Sequence, residues 1–273
     1  MYRFALKPKW LLFHLLIVLL VVLMVYLAFW QLHRLQSRRE FNDDVRSRSS
    51  IPVADFATVV GPGVEPDSIE WRTVSLSGTY LPDEQIVVVN RSQSGQAGSN
   101  VVTPLETSDG TVVLVNRGFV RYTGGADDAG DAPAPPQGDV TVIGRVRVSE
   151  ERRLGGLTDP PGELDETQRI DLERLAPQLP APLAPVYLDL IETTPAQPVP
   201  PVPVPEPELG EGPHLSYMLQ WFFFAGCAIV GWVLALRRSA RLRRDRQRVS
   251  EAVARTAAGS PSPTDDGPAT APN

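Results

Sequence analysis

The chain has 273 residues, 42% of them hydrophobic, and a formal charge of −6. That length gives room for one or two domains with a real core. The single cysteine, Cys227, excludes an intrachain disulfide and a Cys/His metal cluster, and its place inside an apolar run reads as helix packing.

In chain order, the first feature is "WLLFHLLIVLLVVLMVYLAFW", Trp10 to Trp30, with no charged residue. A second uncharged run, "YMLQWFFFAGCAIVGWVLAL", covers Tyr217 to Leu236. A bilayer core about 30 Å thick takes a helix of roughly 20 residues, so both runs predict transmembrane helices. The first is too long for a signal-peptide h-region, and "YLAFWQLHR" is bulky where cleavage needs small residues. It reads as an uncleaved anchor.

Charge then sets orientation. Seven arginines lie between Arg237 and Arg248, and Arg3, Lys7 and Lys9 precede the first run. Short basic flanks stay in the cytoplasm, so both termini are expected there. Arg34, Arg38 and Arg39 point the other way and are outnumbered. The arginine run thus reads as a topology signal, and nucleic acid is not an expected partner. The segment from Glu40 to Leu215 is then extracytoplasmic; it holds 28 acidic residues, 12 basic ones and no lysine. Only nine residues precede the first run, too few for a mitochondrial transit peptide, which favours a bacterial plasma membrane.

Within that segment, a polar stretch from Asp43 to Ser50 leads to strand signals. "TVSLSGTYL" and "DVTVIGRVRV" alternate at period two. "QIVVVNR" and "TVVLVNRGFV" are β-branched runs bounded by turn residues such as "SQSGQAGS" and "TSDG". Together they predict a compact antiparallel β domain. The echo "VVVNR"/"VLVNR", 26 residues apart, is too short for a repeat and predicts two strands that end alike, Asn at the turn and Arg at its exit. "TGGADDAGDAPAPPQG" reads as a loop whose Asp127 and Asp128 are solvated carboxylates. A small helix is expected at "RIDLERLAPQL", with Leu172 and Leu175 on one face. "PVPPVPVPEPELGEGP" reads as a polyproline-type spacer. The tail after Glu251 reads as disordered.

The expected fold class is an integral membrane protein with two transmembrane helices flanking an extracytoplasmic β-rich (α+β) domain. The expected division is a cytoplasmic N-terminus (1–9), the first transmembrane helix (10–30), a juxtamembrane and linker segment (31–67), the β-rich domain (68–195), the Pro-rich spacer (196–213), the second transmembrane helix (214–236) and a basic, then disordered, cytoplasmic tail (237–273).

No catalytic motif appears: there is no GxSxG, HExxH or phosphate-cradling glycine loop. An enzyme is not expected. Of the three histidines, His33 and His214 fall at the outer ends of the two helices. His14 lies about 28 Å along the axis from His33 and shares no site with it. On a helix begun at His214, Tyr217, Trp221 and Phe224 fall on one stripe. Such an imidazole above aromatic side chains suits a haem edge. It equally suits the aromatic belt of a membrane interface. Residue physics leaves both open.

"FWQLHR", "LSGTYLP", "VLVNRGFV", "RIDLERL" and "HLSYMLQWF" occur in this order. With the two flanking apolar runs, they resemble the surfeit locus protein 1 family of cytochrome c oxidase assembly factors, over residues 29 to 224. The resemblance implies a factor that assists maturation of oxidase subunit I and binds haem a. It implies subunit I and other assembly factors as partners, and membrane lipid as surroundings. His214 maps to the family's haem-ligand histidine, with Tyr217 and Trp221 beside it. Trp30, Gln31 and Arg34 map to the first-helix motif, and Asn116, Arg117 and Gly118 to the outer-domain motif. Arg34 is expected to pair with a haem propionate or to anchor the helix at the interface. Asn116, Arg117 and Gly118 are expected to close a strand end and place one buried charge pair, or else to contact a partner. Two positions depart from the family: Gly212–Pro213 replaces an Asn-Asn pair before the histidine, and Ala28 replaces a glycine. Two rival readings share the two-span plan. A polysaccharide chain-length regulator would fold its outer loop as long helices. A two-span sensor would need a cytoplasmic output domain.

Overall fold

The computed structural model describes residues 6–122, 133–152 and 155–258. The chain divides into two compact units, one formed by residues 1–39 with 211–273 and the other by residues 40–210. Asp127, Asp128 and the end of the tail lie outside the described residues.

The first unit is a helical pair. Helix α1 runs Pro8–Ser49 and helix α5 runs His214–Ala258. Both are long and apolar enough to cross a membrane. At about 1.5 Å per residue, each outruns the roughly 20 residues that a bilayer requires. The polar stretch from Asp43 to Ser49, expected as a linker, is therefore helical. So is the tail through Ala258.

Shielded side chains on α1 include positions 10, 14, 17, 21, 24, 28, 31 and 35, and on α5 positions 214, 218, 221, 225, 228, 232, 235 and 239. Alternating steps of four and three make a heptad seam. Small residues sit in it: Ala28 and Ala225 are buried. Helices in lipid associate through such small side chains, which let backbones approach. Phe29 packs edge-on against Phe222, with ring centroids 5.8 Å apart. Near one end of the seam, Trp232 Nε1 donates to His14 Nδ1 at 2.9 Å. Near the other, the Arg39 fork pairs with both oxygens of Glu211 at 2.9 Å.

The second unit is built on one sheet. Its elements are β1 (Ala54–Asp55), α2 (Phe56–Val59), α3 (Pro66–Ile69), β2 (Thr73–Tyr80), β3 (Ile86–Gln93), β4 (Gln96–Thr107), β5 (Val112–Arg121), β6 (Asp139–Arg147), β7 (Glu166–Thr167), α4 (Leu172–Leu175) and β8 (Tyr187–Thr194). Strand order is β1-β2-β6-β8-β5-β4-β3-β7, and β2 also pairs with β4. That extra pairing closes β2, β6, β8, β5 and β4 into a ring, which removes their free edges. The expected antiparallel character holds for most pairs, but β5–β8, β1–β2 and β3–β7 run parallel. The ring is filled by Val74, Leu76, Leu105, Val113, Val115, Val142 and Leu188, among others. A second cluster, around Ile86, Val88, Leu114, Ile170 and Leu175, uses the small helix α4, which the Asp171 side chain caps.

Two expectations are corrected here. Neither strand of the echo ends at its Asn-Arg. Both run on through a β-bulge, with register shifting between Val88 and Arg91 in β3 and opposite Val101/Val102 in β5. The turn residues Ser94 and Gly95 instead form a two-residue hairpin, both at positive φ, as the twist of a tight hairpin demands. The Pro-rich segment is no free spacer. Val202 exchanges two backbone hydrogen bonds with Phe119, and Gln93 Nε2 donates to Pro203 O at 2.9 Å. Further on, Glu206 meets Arg145, and Leu209 O accepts from the buried Asn42. Its prolines cannot donate to a ladder, so the contact is confined to the valine that can.

Candidate functional site

Two clusters contain the residues singled out from the sequence. The first lies in the helical pair. His214 opens α5, and its Nδ1 lies 2.9 Å from Gln31 Oε1 on α1. A carbonyl oxygen only accepts, so Nδ1 is the donor of this pair, and Nε2 takes no part in it. Among the described residues, Nε2 has no hydrogen-bond partner. Gly212, just before it, takes φ +69°, and a Cβ there would lie in ordinary contact with the imidazole, 3.4 Å from Nε2. The positive φ gives a physical reading of the departure from Asn-Asn: glycine takes this backbone turn at no steric cost.

The aromatic stripe is split. Trp221 is half-buried on the seam with His214, whereas Tyr217 and Phe224 are 47% and 39% exposed. They stand off the seam that His214 and Trp221 share, and the Phe224 ring meets Trp221 edge-on at 6.2 Å. Arg34 is exposed, one turn beyond Gln31, and makes no ion pair among the described residues. Trp30 is 50% exposed and stands off the seam. His33 bonds back to its own helix at Phe29 O, 2.8 Å away.

The second cluster lies in the β unit, where Asn116, Arg117 and Gly118 form the bulge of β5. Asn116 Nδ2 donates to Asp189 Oδ1 at 2.8 Å, and Arg147 Nη1 donates to Asp189 Oδ2 at 3.2 Å. Arg147 also reaches Glu70 and stacks 4.0 Å over the Trp71 ring. Asn116 thus holds one oxygen of the Asp189–Arg147 pair. Arg117 is not part of it. Its guanidinium turns inward to Gln85, Thr103 and Gln197. A bulge re-aims the inserted residue, and Arg117 is the inserted one. Gly118 has φ +129°, and a Cβ there would lie 2.4 Å from Val202 O. Only glycine admits the Pro-rich segment so close.

Burial raises the Asp189 pKa, and Arg147, Asn116 and Arg145 only partly oppose it. A raised folded-state pKa favours the protonated form. That contribution to stability is fully present below the ordinary carboxylate pKa of about 4, and is lost as pH rises through the folded value. Thermal unfolding followed upward from pH 4 is therefore expected to show a fall in stability that Asp189→Asn flattens. An equal slope in both proteins would exclude Asp189 as its source.

Sequence reasoning missed Gln85, Gln197, Thr193 and Asp189. These are isolated polar residues, and no periodicity or spacing marks them. Gln31 was legible as part of a motif, but not as the partner of a histidine 183 residues away. Among the described residues, no group of three or more His, Cys, Asp or Glu side chains gathers as a metal site.

Comparison with known proteins adds a family. The SURF1 family model matches residues 18–226, which include both clusters. An uncharacterised SURF1-like protein of Mycobacterium tuberculosis is 32% identical over 235 residues, covering 84% of this chain and 83% of the relative. A SURF1-like protein of Monosiga brevicollis is 28% identical over 238 residues, 78% of this chain and 83% of that protein. Surfeit locus protein 1 of Takifugu rubripes is 27% identical over 143 residues, 46% of this chain and 58% of that protein.

Proposed function

We propose that this chain, which belongs to the SURF1 family, is a membrane-anchored assembly factor for haem–copper cytochrome c oxidase that binds haem a. It acts as a chaperone in the maturation of subunit I and performs no catalysis. Subunit I and other assembly factors are its partners. It resides in a bacterial plasma membrane with both termini cytoplasmic.

The observation that carries the haem reading is His214. Its Nδ1 is spent on Gln31, and its Nε2 has no partner among the described residues. Neutral imidazole presented in this way is the form that ligates iron. The side chains nearby fit the group. Tyr217 and Trp221 offer aromatic faces, and Arg34 offers a guanidinium for a propionate. Haem a would supply the iron that takes the imidazole nitrogen. The chain's part is to fix the tautomer, hold the ring edge open and shield one side with the helical pair.

The membrane reading is supported by mean hydropathies of 3.0 and 1.9 in the apolar windows of α1 and α5, each only 6% buried. Apolar surface on that scale matches lipid as solvent. The closed β ring weighs against a polysaccharide chain-length regulator, which would carry long helices between its spans. Deletion of the gene tests the function. Oxidase activity and the haem content of subunit I are expected to fall and to return on complementation, and subunit I is expected to co-purify. Intact activity with fully haem-loaded subunit I in the deletion strain would refute the reading.

A further inference from the structure

Among the described residues, Arg117 heads the largest fully buried side chains and is 2% exposed. Its charge has no counter-charge among them. Nε and Nη2 both donate to Gln197 Oε1, at 2.9 and 2.5 Å. Nη1 donates to Gln85 Oε1 at 3.0 Å and to Thr103 Oγ1 at 3.4 Å. The Tyr80 ring lies 5.9 Å from the guanidinium carbon. All these groups are neutral. Arg91, Arg145, Arg147 and Arg169 of the same unit each pair with a carboxylate. Arg117 pairs with none among the described residues. A desolvated cation without an anion is costly. Burial lowers its pKa to about 10, so it stays charged at neutral pH.

Two more polar groups lie beside it. The buried hydroxyls of Tyr80 and Thr193 face one another, and neither has a further partner among the described residues. Buried hydroxyls with spare hydrogen-bonding capacity are uncommon. Arg117, Thr193 and Gln197 line one pocket of about 200 Å³, walled by Leu190, Pro200 and Pro201. That is smaller than the sites that take drug-sized molecules.

We propose that this pocket binds a carboxylate on a short aliphatic stem. Arg117 supplies the charge and the Thr193 hydroxyl donates. Gln197 Oε1, which already accepts from Nε and Nη2 together, holds the seat that a carboxylate takes in fork-to-fork pairing. The apolar walls suit the stem. The carboxylate of Glu192, at the rim of the same pocket, disfavours dianions. The group is either a free small acid or an acidic side chain of a protein partner. The proposal stands apart from the haem reading, and its test needs no haem.

The test uses the full chain in detergent, with thermal unfolding read as sodium propionate replaces sodium chloride at constant ionic strength. A saturable rise in unfolding temperature is expected. Phosphate should give much less. Gln197→Glu places a carboxylate in the seat from the chain itself. It should raise the unfolding temperature without ligand and weaken the propionate response by about tenfold or more. Thr193→Val, a mild change, should weaken the response severalfold. A parallel arm titrates a short peptide with one central glutamate, its glutamine twin as control. A response to propionate assigns a free acid; a response to the glutamate peptide alone assigns a protein partner. No response to either, or a Gln197→Glu protein that responds like the wild type, overturns the proposal.

Discussion

Alanine at position 214 is expected to strip haem from the protein purified out of cells that make haem a. The mutation removes the imidazole whose Nε2, among the described residues, has no partner beside the aromatic side chains of α5. Loss of a supporting hydrogen bond alone costs about 10- to 100-fold in metal affinity, and loss of the ligand itself costs more. The fold should survive, because His214 is half-buried at the first turn of α5 and closes no core. Gln31→Ala supplies the graded control. It leaves the ligand but frees the ring to turn and to change tautomer, so roughly tenfold weaker haem retention and an altered spectrum are expected. The measurement is the haem absorbance per polypeptide, with the unfolding temperature recorded for each variant. Equal haem in wild type and His214→Ala would end the ligand assignment. Full retention in Gln31→Ala, beside loss in His214→Ala, would leave the ligand and remove the orienting role from Gln31.

The same residues show what a sequence carries and what it does not. The two apolar runs were plain, because uncharged stretches of that length have few other uses. The pairing between them was not. Helices that are apolar on every side carry no moment to mark the seam. Ala28, Ala225 and the His214–Gln31 bond emerge only when the two helices are set side by side. In the β unit, the alternating strands β2 and β6 were legible at nearly their observed ends. Strand β4 was not, because its first residues, Gln96, Ala97, Gly98 and Ser99, read as a turn. They form a strand because β3 and β5 on either side supply partners, a non-local effect that outweighs local propensity. The motif Asn116-Arg117-Gly118 was visible as residues, yet its geometry was not. A bulge inserts one residue and reverses which face the next side chain takes. An alternating pattern therefore misdirects Arg117.

Gly118→Ala is expected to destabilise the β unit strongly. Two costs combine. Residue 118 sits at φ +129°, a region that L side chains rarely adopt, and the new Cβ would lie 2.4 Å from Val202 O and 3.1 Å from Pro201 Cβ. Backbone strain of that kind costs about 1–3 kcal/mol, and overpacking about as much again. The nearest obstacle is a backbone oxygen, so no side chain can swing aside. The chain relieves the clash by releasing the Pro-rich segment, which forfeits both Phe119–Val202 hydrogen bonds. A loss of about 3 kcal/mol lowers the unfolding temperature of a domain this size by about 10 °C. Release should also loosen Gln197, five residues upstream, and with it the seat beside Arg117. Thermal unfolding and amide exchange at Phe119 and Val202 measure the two effects. Exchange at these amides should quicken well before global unfolding. If Gly118→Ala unfolds at the wild-type temperature with both amides still protected, the Pro-rich segment is not held by this contact, and the role given to Gly118 is wrong.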